Sequence, residues 1–327
     1  MVLHGRAGWT VSGPAGELLA DLLGRFRRGT PSQDLPAVGD WVLIAPRLRE
    51  IRATIHAVLP RSSALLRKVA GITTQAQVVA ANVDTVLVTV PLDVALNPRL
   101  LERQLTVAWE SGAVPVVVGT KTDRVGETNN IDDTVEQLRE IAIGADVIAI
   151  SSATGEGIEQ LDPWLDPGRT LVLLGPSGAG KSTLANRLFG HDRMATGGVR
   201  LSDSKGRHTT SHRELVILPG GALLIDTPGL RELALWDAEE GVASTFTDVE
   251  EIAEACHFNN CAHTNEPGCA VQMAIADGTL DAERFASWEK LQGELAQLAR
   301  QKDALLRLKD RKQWAALTRD AKKRARS

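Results

Sequence analysis

Gly175-Pro176-Ser177-Gly178-Ala179-Gly180-Lys181-Ser182 constrains this chain more than any other stretch. It fits G-x-x-x-x-G-K-[ST], with the apolar run Leu171–Leu174 before it and a helical pattern from Thr183 to Phe189 after it. The glycines let the backbone curl so that its amides face phosphate oxygens, and the N-terminus of the following helix adds a favourable dipole. Lys181 is then expected to neutralise β- and γ-phosphates and Ser182 to ligate Mg²⁺. Gly175, Ser177, Gly178, Ala179, Gly180 and Thr183 complete the expected phosphate cradle. A strand–loop–helix of this kind belongs in a layered α/β domain.

With 327 residues the chain has room for two or three domains, and its 43% hydrophobic content supports a real core. No apolar run approaches the roughly 20 residues that span a bilayer. Gly5, Arg6 and Gly8 interrupt any secretory pattern at the start. The expectation is a cytoplasmic chain with no membrane partner. A net charge of −4 argues against a molecule that binds nucleic acid over its whole surface. Residues 305–327, however, carry nine Lys/Arg against two Asp/Glu.

The first 70 or so residues read as short strands broken by Gly and Pro. Trp41–Ile44 follows Gly39-Asp40, and Ile51–Leu59 ends at Pro60. Glu17–Arg28 also has helical spacing. From residue 78 strands and helices alternate. Asp84–Val90, Val114–Val118, Val147–Ile150 and Leu171–Leu174 read as strands, and Asn97–Trp109 and Ile131–Ile143 as helices. Alternation of this kind implies parallel pairing with right-handed crossovers. Leu215–Leu218 and Ala222–Asp226 read as two further strands. Val249–Cys256 and Asp281–Leu308 read as helices.

A P-loop does not choose between ATP and GTP. Thr120-Lys121-Thr122-Asp123 sits behind a strand and is similar to the Asn-Lys-x-Asp guanine motif, with Thr120 in place of Asn. A carboxylate at Asp123 accepts two hydrogen bonds from guanine N1–H and the exocyclic amine, a pair of donors adenine lacks. The Lys121 stem can lie over the base. Ser151-Ser152-Ala153, behind another strand, resembles the Ser-Ala loop of GTPases whose backbone amide contacts guanine O6. Asp226-Thr227-Pro228-Gly229 follows a strand as a Walker-B motif should, with Asp226 holding Mg²⁺ through water and Gly229 sensing the γ-phosphate.

The base-reading motifs precede the P-loop, whereas an ordinary GTPase has the P-loop first. The chain is therefore read as a circular permutation. This order, with Gly206-Arg207-His208-Thr209-Thr210, Val38-Gly39-Asp40-Trp41-Val42, Asn82-Val83-Asp84 and a Cys/His cluster, resembles the circularly permuted ribosome small-subunit-dependent GTPase family of bacteria. The resemblance implies a multidomain α/β protein: an N-terminal OB-type β-barrel (1–72), a central permuted P-loop GTPase with a parallel sheet and flanking helices (73–238), and a mostly helical zinc-binding domain with a basic tail (239–327). It implies that Arg207–Thr210 is switch I, one of Thr209 and Thr210 meeting Mg²⁺ and the γ-phosphate. Leu230 stands where many GTPases carry a water-orienting Gln. Slow intrinsic hydrolysis is expected, with His208 as a candidate to supply the catalytic group.

Cys256, Cys261, His263 and Cys269 give C-x₄-C-x-H-x₅-C and contain every cysteine of the chain. Three thiolates and an imidazole suit a closed, structural tetrahedral Zn²⁺. His257 is an alternative imidazole, and the family pattern favours His263. The basic tail, with Trp314 and Leu317 interleaved, suits phosphate contact. With an OB barrel upstream, the resemblance implies ribosomal RNA of the small subunit as partner. No heptad or apolar edge calls for a dimer, so a monomer is expected. The resulting expectation is a GTP hydrolase that binds the small subunit, assists its late maturation and leaves on hydrolysis. Two other classes compete: a P-loop ATPase or kinase, which Asp123 opposes, and a zinc-containing RNA-binding protein with a vestigial nucleotide site, which intact Lys181, Ser182 and Asp226 oppose.

Overall fold

The computed structural model describes residues 2–5, 8–14, 16–27, 30–68, 76–126, 130–190, 214–226, 239–264, 266–297 and 299–300. The N-terminal part is a five-stranded sheet of β1 (Val2–Gly5), β2 (Gly8–Gly13), β3 (Gly16–Leu22), β4 (Val42–Arg47) and β5 (Arg52–Val58). Its order is β1-β2-β3-β5-β4, with β3 and β5 parallel and the other pairs antiparallel. This is the five-stranded, partly open Greek-key arrangement of an OB-type barrel. Alternate residues Val11, Leu18, Ala20, Leu22, Ala53 and Ile55 point inward and make its core. The helical spacing of Glu17–Arg28 gives way here. Residues 16–22 are strand, because Leu18, Ala20 and Leu22 alternate into the barrel core, and only the short α1 (Gly24–Arg27) is helical.

A hairpin of β6 (Ala64–Lys68) and β7 (Ala76–Ala81) joins the barrel to the second sheet. Two of the short motifs noted in the sequence meet at this junction. The Ala81 amide donates to the Val38 carbonyl at 2.9 Å, and the Asn82 side chain donates to the Gly39 carbonyl at 2.9 Å. Arg61 donates to both carboxylate oxygens of the fully buried Asp40 and to the Gln33 and Leu35 carbonyls. Val38-Gly39-Asp40 and Asn82-Val83-Asp84 therefore weld barrel to sheet.

The second sheet holds six strands: β8 (Thr85–Pro91), β9 (Val114–Thr120), β10 (Asp146–Ile150), β11 (Thr170–Leu174), β12 (Glu214–Ile217) and β13 (Leu223–Asp226), in the order β10-β9-β8-β11-β13-β12. Five are parallel and read as continuous apolar runs, as strands covered on both faces must. β12 runs antiparallel at the edge, since the short turn between Leu218 and Ala222 permits only a hairpin. Helices α2 (Pro98–Glu110), α3 (Ile131–Ile141) and α4 (Lys181–Phe189) are the crossovers. Asn97 caps α2 with its side chain, followed by Pro98 at the first turn, and Asn130 caps α3.

Beyond the sheet the described chain is helical: α5 (Glu239–Thr245), α6 (Thr247–Glu254), α7 (Ala270–Asp277) and α8 over 282–297. These helices share one core with the sheet face under α2. Phe246, Val249, Val271, Phe285, Leu291 and Leu295 lie in the same buried cluster as Leu101, Leu105, Val86 and Val172. Arg284 closes the contact. It donates to Asp248 at 2.6 and 2.8 Å, to the Thr245 carbonyl at 3.0 Å and to Glu102 of α2 at 3.3 Å, with its guanidinium over the Phe246 ring.

Candidate nucleotide site and metal centre

Every described nucleotide motif lies at the C-terminal end of a parallel strand, where open α/β sheets bind ligands. The turn after β11 is the P-loop. Gly178 (φ 81°) and Gly180 (φ 85°) adopt left-handed backbone, which turns successive amides toward one side, and Gly180 caps α4. Lys181 opens α4, and its ammonium donates to the Gly175 and Pro176 carbonyls at 2.7 and 2.6 Å, folding its stem along the loop. Ser177 and Gly178 are exposed at the mouth, Ala179 is buried, and Ser182 and Thr183 occupy the first turn of α4.

Thr120, at the end of β9, is 1% exposed. Its hydroxyl lies 2.8 Å from the Ala179 carbonyl of the P-loop and 3.3 Å from the Val90 carbonyl of β8. The residue that departs from Asn-Lys-x-Asp thus ties β9 to the P-loop. Lys121 takes a left-handed conformation (φ 65°) that turns its side chain to Asp93, at 2.8 and 3.0 Å. Asp93 was not singled out from sequence. The usable signal was its position just past the end of β8, between the two motif-bearing strands. The Asp123 carboxylate accepts the Ser151 hydroxyl at 2.6 Å, and Ser151 is fully buried behind β10. Ser151 and Asp123 are 28 positions apart, and they converge because β9 and β10 are adjacent parallel strands. Ser152 lies in the same loop, with its hydroxyl enclosed and without a hydrogen-bond partner among the described residues.

Asp226 ends β13, which lies beside the P-loop strand β11. Thr209, Thr210, His208, Gly229 and Leu230 lie outside the described residues, as does the basic tail from Arg307 to Arg326.

The Cys/His cluster assembles fully. Cys256 follows α6, Cys261 and His263 sit in the connecting loop, and Cys269 caps α7. Their ligand atoms all lie within 4.8 Å of one another. Cys256 Sγ is 3.5 Å from His263 Nδ1 and 4.0 Å from Cys269 Sγ, and Cys269 Sγ is 3.7 Å from the same nitrogen. A tetrahedral zinc with ordinary bond lengths requires edges of about 3.8 Å between sulfurs and about 3.5 Å between sulfur and nitrogen. The donor set therefore fits zinc. His263, not His257, supplies the imidazole: its left-handed backbone (φ 57°) turns the ring inward, where Phe285 and Trp288 meet it edge-on. His257 packs against Phe258. Burial pushes the Cys256 thiol up, but backbone amides of Val271 and Ala270 and the neighbouring thiols outweigh it, leaving Cys256 below its ordinary value. Cys261 is pushed up to about 11 by desolvation, reinforced by hydrogen bonds with Cys269 and Cys256 and by the charge of Cys256, against the opposing backbone amide of His263. The Cys261 thiol therefore holds its proton unless a cation replaces it.

A family model described as RsgA GTPase matches residues 58–236. A protein of Opitutus terrae named small ribosomal subunit biogenesis GTPase RsgA is 48% identical over 91% of this chain and 83% of its own. A protein of the same name from Syntrophotalea carbinolica is 43% identical over 96% of this chain and 88% of its own. Among solved structures, YjeQ from Thermotoga maritima superposes with a TM-score of 0.65 at 27% identity, over 90% of this chain and 97% of that one. YloQ, described as a circularly permuted GTPase, shares the fold with a TM-score of 0.64 at 23% identity, over 90% of this chain and 94% of that one. The family match covers more than half of the chain and includes the permuted site from Thr120 to Asp226, and the curated relatives extend the likeness through the Cys/His domain: the chain belongs to the RsgA GTPase family.

Proposed function

We propose that this GTPase binds the small ribosomal subunit through its RNA, assists late maturation of the subunit, and is released when it hydrolyses GTP. Relatives alike over nine-tenths of the chain bear names that state small-subunit biogenesis. The observation that carries the nucleotide half is the Thr120–Ala179 hydrogen bond, which makes base reading and phosphate binding one rigid unit.

In this reading Asp123 accepts guanine N1–H and the 2-amine, Lys121 lies along the base with its ammonium held by Asp93, and Ser151 and Ser152 hold the loop facing O6. Lys181 and the backbone amides between Gly175 and Thr183, Pro176 having none, take the phosphates. Ser182, Asp226 and one of Thr209 and Thr210 would hold Mg²⁺, which when bound neutralises charge developing on the phosphate oxygens. Gly229 senses the γ-phosphate. Leu230 cannot orient water, so the attacking water is positioned by His208 or by the subunit. Cys256, Cys261, His263 and Cys269 would hold Zn²⁺ as a purely structural ion, since four protein ligands leave no open position.

The three segments divide the work: 1–72 and the tail of 239–327 contact RNA, and 73–238 turns over nucleotide. The protein acts as a monomer in the cytoplasm, where ribosomal subunits are assembled. Among the described residues no helix is long and apolar enough to cross a membrane. The test is GTP hydrolysis with and without purified small subunits. Strong stimulation by small but not large subunits is the expected result, and equal turnover in both would remove the ribosomal assignment while leaving the GTPase.

A further inference from the structure

Arg187 lies on α4, six positions past the P-loop lysine and outside every motif considered above. Its Nε donates to the Ser152 carbonyl at 3.3 Å and its Nη2 to the Ala153 carbonyl at 3.2 Å. The guanidinium rests directly over Gly155: a Cβ built there would stand 2.6 Å from Nη2 and 3.1 Å from Cζ. A helix whose N-terminus carries the phosphate loop therefore also holds two consecutive carbonyls of the loop behind β10.

Holding those carbonyls fixes where the amides point. No cis peptide occurs among the described residues, and in a trans peptide C=O and N–H face opposite ways. With the Ser152 and Ala153 carbonyls both drawn to one guanidinium, the Ala153 and Thr154 amides must face away from it. The second of these is directly visible. The Thr154 amide donates to Ser151 Oγ at 3.1 Å, and that hydroxyl donates to Asp123 at 2.6 Å. The side of the loop opposite Arg187 is thus the Asp123 side. By the same geometry the Ala153 amide is turned to that side, where the guanine reading of Asp123 puts O6.

We propose that Arg187 is a positioning residue for base recognition: from the P-loop helix it orients the Ser152–Ala153 peptide so that the Ala153 amide meets guanine O6. The proposal rests on the assignment of guanine to Asp123. It makes O6 recognition depend on a residue of the phosphate-binding helix, so the triphosphate and base ends of the nucleotide are read by one body joined at Thr120–Ala179 and again at Arg187–Ser152.

The test compares wild type, Arg187→Met and Arg187→Lys as full-length chains, by direct binding of three nucleoside diphosphates with Mg²⁺. GDP carries O6 and the 2-amine, IDP carries O6 alone, and the 2-aminopurine analogue carries the amine alone. Arg187→Met should weaken GDP and IDP alike, by about three- to tenfold, the worth of misorienting one donor held by two exposed hydrogen bonds. It should leave the 2-aminopurine analogue unchanged, and Arg187→Lys should recover part of the loss. Arg187 is exposed, so the variants are expected to fold; melting curves with and without saturating nucleotide verify this. Unaltered GDP affinity in Arg187→Met, or an equal loss on all three nucleotides, would overturn the proposal while the guanine assignment stands. A wild type that does not prefer GDP to ADP would overturn both.

Discussion

The Thr120 hydroxyl donates to the Ala179 carbonyl across 59 positions of sequence, and neither atom is exposed to water. Replacing Thr120 with Val keeps the shape and leaves that carbonyl without its partner. An orphaned buried acceptor costs about 1–3 kcal/mol. Because the bond links the two halves of one site, the cost should fall on nucleotide binding as well as on folding. Thr120→Val is expected to lower GDP affinity about tenfold and to lower Tm, measured by titration and by thermal melting. Thr120→Ser should restore most of both.

Asp123→Asn tests the base. The Ser151 hydroxyl can still donate to the amide oxygen, so the loop should keep its form. Two hydrogen bonds from guanine to a carboxylate are lost, and the amide NH₂ now faces the 2-amine. GDP affinity should fall by about a hundredfold or more. Xanthosine diphosphate, with an oxygen in place of the amine, should bind the variant better than GDP does. Competition between the two nucleotides on wild type and variant reads this directly.

These two tests divide along what was legible before any coordinates. The P-loop, Asp123 and the Cys/His set were readable because each is a local pattern with fixed spacing, attached to a strand or helix that also announces itself. The parallel sheet was readable from continuous apolar runs. Asp93, Arg187, Arg284 and Glu102 were not, because their roles exist only through partners 28, 34, 36 and 182 positions away. Glu17–Arg28 misled for a related reason: its leucines suit a helix in isolation, and only packing against β2 and β5 makes residues 16–22 a strand. Val38-Gly39-Asp40 was recognisable as a motif, but its meaning as the barrel-to-sheet weld depended on Asn82 and Ala81.

That weld makes Gly39 irreplaceable. It has φ 91°, and a Cβ there would overlap the Ala81 carbonyl and come 3.2 Å from the Ile225 side chain on β13. Gly39→Ala must either move backbone or break the Val38–Ala81 and Gly39–Asn82 hydrogen bonds. A loss of about 3 kcal/mol or more is expected, seen as a large fall in Tm and as proteolysis between barrel and sheet. A wild-type melting curve for Gly39→Ala would show that the junction yields freely.

Zinc should be present at one ion per chain and should leave on acidification. In the metal-free cluster the Cys261 thiol sits at about 11, so loading the ion displaces protons, and its affinity rises with pH. Lowering pH from about 7.5 to about 5.5 is expected to release zinc to a chromogenic chelator. Cys261→Ser should lower zinc content and Tm together, and unfolding should begin in 239–297. Full zinc content in Cys261→Ser would mean that three ligands suffice.

Glu102 offers a separate pH signature. It is 2% exposed on α2, accepts Arg284 at 3.3 Å, and leaves its Oε2 without a hydrogen-bond partner among the described residues. Desolvation pushes its carboxyl above the ordinary 4.5, with Ser287 and Arg284 only partly opposing this. A carboxyl whose folded pKa is raised favours the folded state in its protonated form. That contribution is complete below about 4.5 and is lost as pH rises through the elevated value. At neutral pH burying this carboxyl group therefore carries a net cost. Glu102→Gln removes the charge, keeps an acceptor for Arg284, and leaves Arg284 its two hydrogen bonds to Asp248. The variant should match wild type in stability near pH 4.5 and become progressively the more stable of the two as pH rises to 8. Chemical denaturation across that range measures the difference. A gap that stays constant with pH would show that Glu102 is held ionised by Arg284 throughout, and that the interface depends on the pair rather than on Arg284–Asp248.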